Sequence, residues 1–425
     1  MLNILKKNNH IKIFLIVLVL LFQTSFLISQ ERALSFELKK SPFKDNYWFL
    51  DTNNKGLKNA DVSLNIKFNY LNKKNSYQIE IVSLDSKNKK IYIGESYFKK
   101  KLSDDKFLQI GKYYRNYSNY LNDSLSSGHM IISHNAQPIP KIGFFVSKDI
   151  KKLSKVNFDF GISHGHFSRD KEVLEKYGEW QYRKSPLLHE KFIYVNIVKK
   201  NYELSLGLVH NVMWAGATPG RNFPITIRNY SKVFFSGDGY DEGGSHQNAL
   251  GNHIGIWDFS IIKKNNNQIM KIYYQHIFED TSGLRFANLH DGLWGAELVN
   301  YLPNTNFLIE YLVTSNQLRD PPYVRERYYT NYQYKLGWSY KGYSLGNPYI
   351  DYLSVDPIDV IHFGIKSKIL SNDIILKLAR KTTVNDSWDY KVSIQKKFTE
   401  DLIFSIFIVN NNNDESVGMT FSGNF

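Results

Sequence analysis

The feature that most constrains this chain is a strict alternation of apolar and polar residues in short runs. Val62, Leu64, Ile66, Phe68 and Tyr70 alternate with Ser63, Asn65, Lys67 and Asn69, and Leu204, Leu206, Leu208 and His210 keep the same period. A period of two fits a strand with one apolar and one water-facing side. Polar turns such as Leu71–Ser76, Lys263–Gln268, Ser371–Asp373 and Asn410–Ser416 separate the runs. Strands are expected to begin near Asp61, Tyr77, Lys90, Lys106, Lys141, Lys155, Lys191, Tyr202, Asn252, Ile269, Leu293, Asn306, Tyr334, Asp359, Ile374, Trp388, Leu402 and Val417, about 18 in all, a number within the range of single-chain membrane barrels. Helical spacing is rare, and Lys171–Trp180 is its best instance.

Alternation alone fits both a soluble sandwich and a transmembrane barrel. Composition favours the barrel. Aromatic residues make up 15% of the chain, with 29 Tyr and 28 Phe, yet mean hydropathy is only −0.38. A barrel reconciles these values by placing rings in two interfacial girdles around a polar lumen. The terminal strand adds to this: Val417, Met419, Phe421 and Phe425 share one face, with Gly423 the only gap. A last strand ending in an aromatic residue resembles the signal read by the outer-membrane barrel-assembly machinery. The expected fold class is all-β, an antiparallel outer-membrane barrel with long structured loops.

The amino terminus reads as a secretory signal peptide over residues 1–29. Lys6, Lys7 and Lys12 precede an apolar run from Ile13 to Phe22, and small or polar residues follow around Ser25 and Ser29. The competing reading is an uncleaved anchor. Residues 30–59 are expected to form a short periplasmic segment, and 60–425 the barrel. The chain has no cysteine, which excludes disulfides, thiolate metal sites and a lipoprotein anchor. Removing the three lysines lowers the formal charge from +14 to +11. Such a charge suits acidic polysaccharide or lipopolysaccharide phosphates, although a Lys- and Asn-rich composition throughout the chain accounts for it as well.

Six connections exceed simple hairpins: Asn116–Pro140, Gly165–Glu190, Asn211–Gly251, Glu279–Gly292, Ser315–Gln333 and Lys341–Pro357. Alternation alone does not say to which end of the barrel each belongs. Five segments carry distinctive residues: Ser127–Gly143 (SGHMIISHNAQPIPKIG), Gly207–Gly220 (GLVHNVMWAGATPG), His246–Gly255 (HQNALGNHIG), Gln275–Gly295 (QHIFEDTSGLRFANLHDGLWG) and Gly337–Pro348 (GWSYKGYSLGNP). In this order, behind a signal peptide and before a terminal Phe, they resemble the capsule assembly protein Wzi family in its Bacteroidota form. The resemblance implies an outer-membrane barrel of about 18 strands and a lectin-like, non-enzymatic role in holding capsular or exported polysaccharide at the cell surface. Founding members carry a periplasmic helical bundle, for which residues 30–59 are too short. The alternative function is a porin or sugar-uptake channel.

Sugar recognition needs rings for apolar C–H faces and amides or carboxylates for hydroxyls. The candidates are Trp214, Trp294 and Trp338 with Asn248, Asn252, Gln275, Asn288 and Asn347. Glu279, Asp280 and Asp291 are acceptors, and Arg221 and Arg285 suit an acidic sugar. Each has a plainer reading: tryptophans near strand ends serve as girdle residues, notably Trp257 and Trp388, and the acidic residues serve as lumen struts. Glu279 and Asp280 are poor as a glycosidase pair, because neighbours on a strand point to opposite faces; Asp291 with Glu279 is not excluded by spacing. His164 and His166 share a strand face, but no third metal ligand is evident, since His134, His210, His246 and His253 lie far off in sequence. No cofactor is expected. The expected partners are polysaccharide, outer-membrane lipid and lipopolysaccharide, and the barrel-assembly machinery, with the chain monomeric. No phosphate loop or nucleic-acid module is present, and the positive charge is dispersed.

Overall fold

The computed structural model describes residues 31–40, 55–57, 62–85, 90–150, 155–168, 184–218, 221–239, 249–279, 281–316, 328–382, 388–411 and 414–425. The signal-peptide segment and the helical candidate Lys171–Trp180 lie outside the described residues. Eighteen antiparallel strand positions close into a barrel. They are β1 (Glu31–Lys40), β2 (Val62–Leu71), β3 (Asn75–Asp85), β4 (Lys90–Ile93 and Ser96–Ser103, broken at Gly94), β5 (Lys106–Lys112) and β6 (Pro140–Asp149). Then come β7 (Val156–His166), β8 (Leu187–Lys199), β9 (Tyr202–Trp214), β10 (Asn252–Asn265), β11 (Gln268–Phe278) and β12 (Gly292–Leu302). The last six are β13 (Thr305–Val313), β14 (Asp359–Ile369), β15 (Asn372–Lys381), β16 (Asp389–Lys397), β17 (Leu402–Asn411) and β18 (Asp414–Asn424).

The seam joins β18 to β1, with Ser35 opposite Asn424 and Lys40 opposite Met419. Leu34 and Phe425 exchange two backbone hydrogen bonds of 2.7 Å each. The gap at Gly423 has a purpose: Phe36 sits directly opposite, and a Cβ there would lie 2.6 Å from its ring. The Phe36 ring is also 5.5 Å from that of Phe421 and 6.1 Å from that of Phe425.

Two expectations about the strands are corrected. Residues 30–59 are not a segment ahead of the barrel, because Glu31–Lys40 supplies its first strand. The apolar residues Leu34, Phe36 and Leu38 alternate there and pair across the seam. Conversely, no long strand begins at Tyr334. The alternating Tyr334, Leu336 and Trp338 precede only the two-residue pairing Ser339–Tyr340 with Tyr343–Ser344, and Tyr334 and Trp338 are buried in the lumen. The two errors offset each other, so the expected number of strands matches.

The strand pattern sorts the two faces. On β10, Ile254, Ile256, Asp258 and Ser260 point inward and are buried, while Ile261 is exposed on the outside. Leu206, Ile272, Ile309 and Ile394 are also exposed on the outer face, where an outer-membrane barrel presents its apolar band to lipid. At one end of this band Tyr274 and Trp294 stack with centroids 3.7 Å apart, and Trp257 stacks on Phe259 at 6.4 Å. Trp388, on the same outer surface, lies 6.0 Å from Phe363.

Every long connection emerges at one rim. The other rim carries tight turns such as Lys200–Asn201, Asn266–Asn267 and Leu370–Ser371. The last two expected long loops are one connection between β13 and β14, since no barrel strand divides them. A charge on the lipid face of such a barrel costs about 2–4 kcal/mol near the bilayer midplane. Ile261→Arg is therefore expected to reduce the fraction of protein that migrates as the folded form on unboiled gels, whereas inward-facing Ser260→Thr leaves it unchanged.

Candidate functional site

Among the described residues, two connections from the long-loop rim supply most of the lumen filling, and Lys55–Leu57 between β1 and β2 joins them through Lys55 N to His134 O (2.9 Å) and Gly56 N to Asn135 O (2.8 Å). The first, between β5 and β6, turns inward and buries Tyr117, Tyr120, Leu125, Met130 and Ile131. The second, between β13 and β14, contributes Tyr329, Tyr334, Trp338, Tyr343 and Tyr349. Polar contacts lock the two together. Trp338 Nε1 donates to the Ile131 carbonyl (2.6 Å), Ser133 N to Leu345 O (2.7 Å), and Asn347 Nδ2 to Gly128 O (3.0 Å). The Tyr329 hydroxyl donates to Met130 O and accepts from Asn347 N (2.7 Å).

Buried carboxylates on the wall hold this plug. Asp258 on β10 accepts from the hydroxyls of Ser118, Tyr120 and Tyr194. Glu310 on β13 accepts from Ser126 Oγ (2.7 Å), Ser127 N (2.6 Å) and the Tyr273 hydroxyl. Glu297 on β12 receives Asn122 Nδ2 (2.6 Å) and pairs with Lys271 (2.7 Å). Gln275 accepts from Met130 N (2.9 Å) and donates to Tyr120 (2.8 Å), and His362 meets Leu125 O at 2.7 Å. Buried charges persist only when so surrounded, because desolvation otherwise exceeds what a single contact returns.

Within the plug, His129 Nδ1 accepts from Ile131 N and Ile132 N, both at 3.1 Å, which leaves Nε2–H to donate to Ser118 Oγ at 3.1 Å. Burial pushes this imidazole well below its ordinary range. Burial also lowers His134 to about 4, with Arg115 acting in the same direction. His129, Ser118 and Asp258 are linked, but the carboxylate bonds the serine and not the imidazole, an order that supplies no base relay to a nucleophile.

Two wall tyrosines lie flat only because glycines face them. A Cβ on Gly207 would come within 2.1 Å of the Tyr194 ring, and one on Gly295 within 2.1 Å of Tyr273. Each pair is directly opposed in register, and the two tyrosines carry hydroxyls bound to Asp258 and Glu310.

The expected binding residues do not form one constellation. Trp338, Gln275 and Asn347 join the plug. Asn252 is buried at the inner start of β10 with Nδ2 lacking a partner. Asp291 ties two connections together at the rim: it accepts from the Tyr328 hydroxyl and from Asn316 N (2.7 Å). Glu279 is half-buried and Arg285 exposed, both in the rim connection after β11. Trp214 and Trp294 point outward, away from the lumen. Trp214 is buried beneath a helix, and Trp294 stands in the external aromatic row with Nε1 donating to His290 O (3.1 Å). Asn248, Asp280 and the Arg221 side chain lie outside the described residues.

The fold gathers residues that sequence reading left scattered. On the inner wall, Lys141 pairs with Glu190 at 2.6 Å, and Asn211, opposite Glu190, is fully buried beside the Tyr117 hydroxyl. Outside, His164 opposes His189 with rings 5.0 Å apart, and His210 Nε2 lies 2.9 Å from His253 Nδ1. Among the described residues no group of three or more His, Asp or Glu side chains could hold a metal ion.

An antiparallel barrel with an apolar outer band, aromatic row and single-sided long loops is an outer-membrane β-barrel. The family described as capsule assembly protein Wzi matches residues 50–351, and this chain belongs to it. Solved structures similar to it include two variants of the Rhodopseudomonas blastica porin. Each is 10% identical, with 94% of this chain and 100% of the porin covered, at TM-scores of 0.39 and 0.38. A structure concerned with the asymmetric conductivity of engineered proteins is also 10% identical, covering 93% of this chain and 99% of that one, at TM-score 0.37. No curated protein matches significantly.

Gly207→Val is expected to push Tyr194 off Asp258 and loosen the plug, costing about 1–3 kcal/mol as overpacking does; protease cleavage within residues 113–139 should rise while the strands stay resistant. Asp291 provides a pH test. Burial raises its carboxyl from 3.8 to about 6. Its contribution is therefore present at acidic pH and lost as pH climbs through about 6, a loss on the order of 1–3 kcal/mol. Asp291→Asn copies the neutral acid. The variant's unfolding midpoint in detergent should exceed that of the wild type above pH 6, and the difference should close below pH 4.

Proposed function

We propose that the protein is a non-enzymatic, lectin-like barrel of the outer membrane that binds capsular or exported polysaccharide and supports capsule attachment at the cell surface. The observation that carries this reading is the plug. A lumen crossed by two connections and fastened through Asp258, Glu297 and Glu310 suits a rigid receptor better than an open conduit. Family membership supports the link to capsule assembly. The rim with the long connections faces outward, as is usual for such barrels, and presents the polymer-binding surface. Trp214, Trp294, Trp338, Asn252, Gln275 and Asn347 are on this view mainly parts of the scaffold. Exposed Arg285 and half-buried Glu279 are the rim residues best placed to meet a sugar chain.

Deleting the gene should release polymer into the medium while synthesis continues, with cell-bound capsule restored by the wild-type protein. Unchanged cell-bound capsule in the deletion strain would refute the proposal. The channel alternative is separated by planar-bilayer recording: the purified barrel should pass little current, and large steady conductance would favour uptake.

A further inference from the structure

Parts of two rim connections pack against the outside of the barrel. In the connection after β9, helix α1 (Ile227–Phe235) is capped by Thr226, whose side chain accepts from Asn229 N, and ends at Ser236 in a left-handed conformation (φ 54°). The outward-facing side chains of β7–β9 receive it. Tyr230 bonds His164 Nε2 at 3.1 Å and packs 5.9 Å from both Trp214 and His189. Phe234 lies 5.5 Å from His189, with Lys191 Nζ 4.5 Å over its ring. Val233 closes a cluster with Val212 and Trp214 that is separate from the lumen core.

The connection after β11 does the same one strand pair further round. Phe286, at φ 63°, stacks on the outward His276 at 4.6 Å and on Trp257 at 5.8 Å, while Trp257 Nε1 donates to Leu284 O (3.0 Å).

With these inner faces used, both segments turn apolar side chains away from the protein. Ile227 is 90% exposed, Phe235 76%, Ile225 67% and Leu289 48%. On a helix in water this outer stripe would be polar. Neither Ile227–Phe235 nor Thr281–His290 contains an acidic residue, whereas Arg228, Lys232 and Arg285 are basic.

Position identifies the occupant. The Thr281–His290 segment covers the row of Trp257 and His276, and α1 packs over Lys191, His189, Val212 and Trp214, two to six residues nearer the long-loop rim than the Leu208–Trp257 row, so both adjoin the upper edge of the apolar band. The surface they extend is already the apolar outer face of the barrel. We propose that α1 and the Thr281–His290 segment form an external collar that inserts Ile227, Phe235 and Leu289 into the outer leaflet at headgroup depth, as interfacial amphipathic helices do.

The absence of native cysteine makes the test direct. Ile227→Cys and Leu289→Cys are labelled with bimane and reconstituted into phosphatidylethanolamine–phosphatidylglycerol vesicles containing headgroup-nitroxide lipid. Leu206→Cys, on the lipid face, and Val355→Cys, in the plug connection, serve as references, and each variant is first checked for the folded gel form. The expected result is strong loss of emission at 227 and 289, with Val355→Cys unaffected. Emission at both collar positions matching the Val355→Cys reference, while acyl-chain nitroxide quenches Leu206→Cys, would overturn the proposal. So would efficient 227–227 disulfide cross-linking in native membranes, which would make a second copy the occupant.

Discussion

Strand pairing without a free edge is the condition on which everything else rests. In hydrocarbon every backbone amide and carbonyl must find a partner within the protein, and the pairing of Glu31–Lys40 with Asp414–Asn424 removes the last two open edges. Once closed, the wall gives each strand two environments. Outside, Ile261, Ile272 and Ile309 meet lipid, and inside, Asp258, Lys271 and Glu310 meet whatever fills the lumen. The filling is therefore as much a requirement of the fold as the apolar band.

This filling is polar at the wall and aromatic at its centre. Asp258, Glu297 and Glu310 each gather donors from the connection between β5 and β6, which fixes its path across the barrel. The tyrosines serve twice, as ring surface for packing and as hydroxyl donors for the carboxylates. Their flat placement depends on Gly207 and Gly295 on adjacent strands. The second connection is bonded both to the first, through Trp338 and Asn347, and to the rim connection after β11, through Tyr328 and Asp291.

Most of the wall was legible in the sequence because alternation is a local property. The starts of β2, β10 and β17 fall within a residue of their expected positions, and the terminal phase of Val417, Met419 and Phe425 on the outer face is as read. The failures were also local. Leu34, Phe36 and Leu38 alternate too briefly beside the apolar leader to stand out, and Tyr334, Leu336 and Trp338 alternate for packing inside a plug. The site was far less legible. An inward carboxylate such as Asp258 looks like any lumen residue until Ser118 and Tyr120 reach it from about 140 positions away. Trp214 and Trp294 carried the chemistry of sugar platforms, yet the parity of their positions on β9 and β12 points them outward; firm strand boundaries would have revealed this.

The seam between β1 and β18 also governs the order of assembly. Its partners are separated by nearly the whole polypeptide, and the entropy of closing a ring that large is about 5 kcal/mol on a logarithmic scale. Hairpins between neighbours form at little such cost, so the wall can grow as an open, curling ribbon whose two ends meet last. The rings of Phe36, Phe421 and Phe425 then act as the clasp. Without Asp414–Asn424, Glu31–Lys40 and Leu402–Asn411 would be left as exposed edges, open to pairing with neighbouring chains.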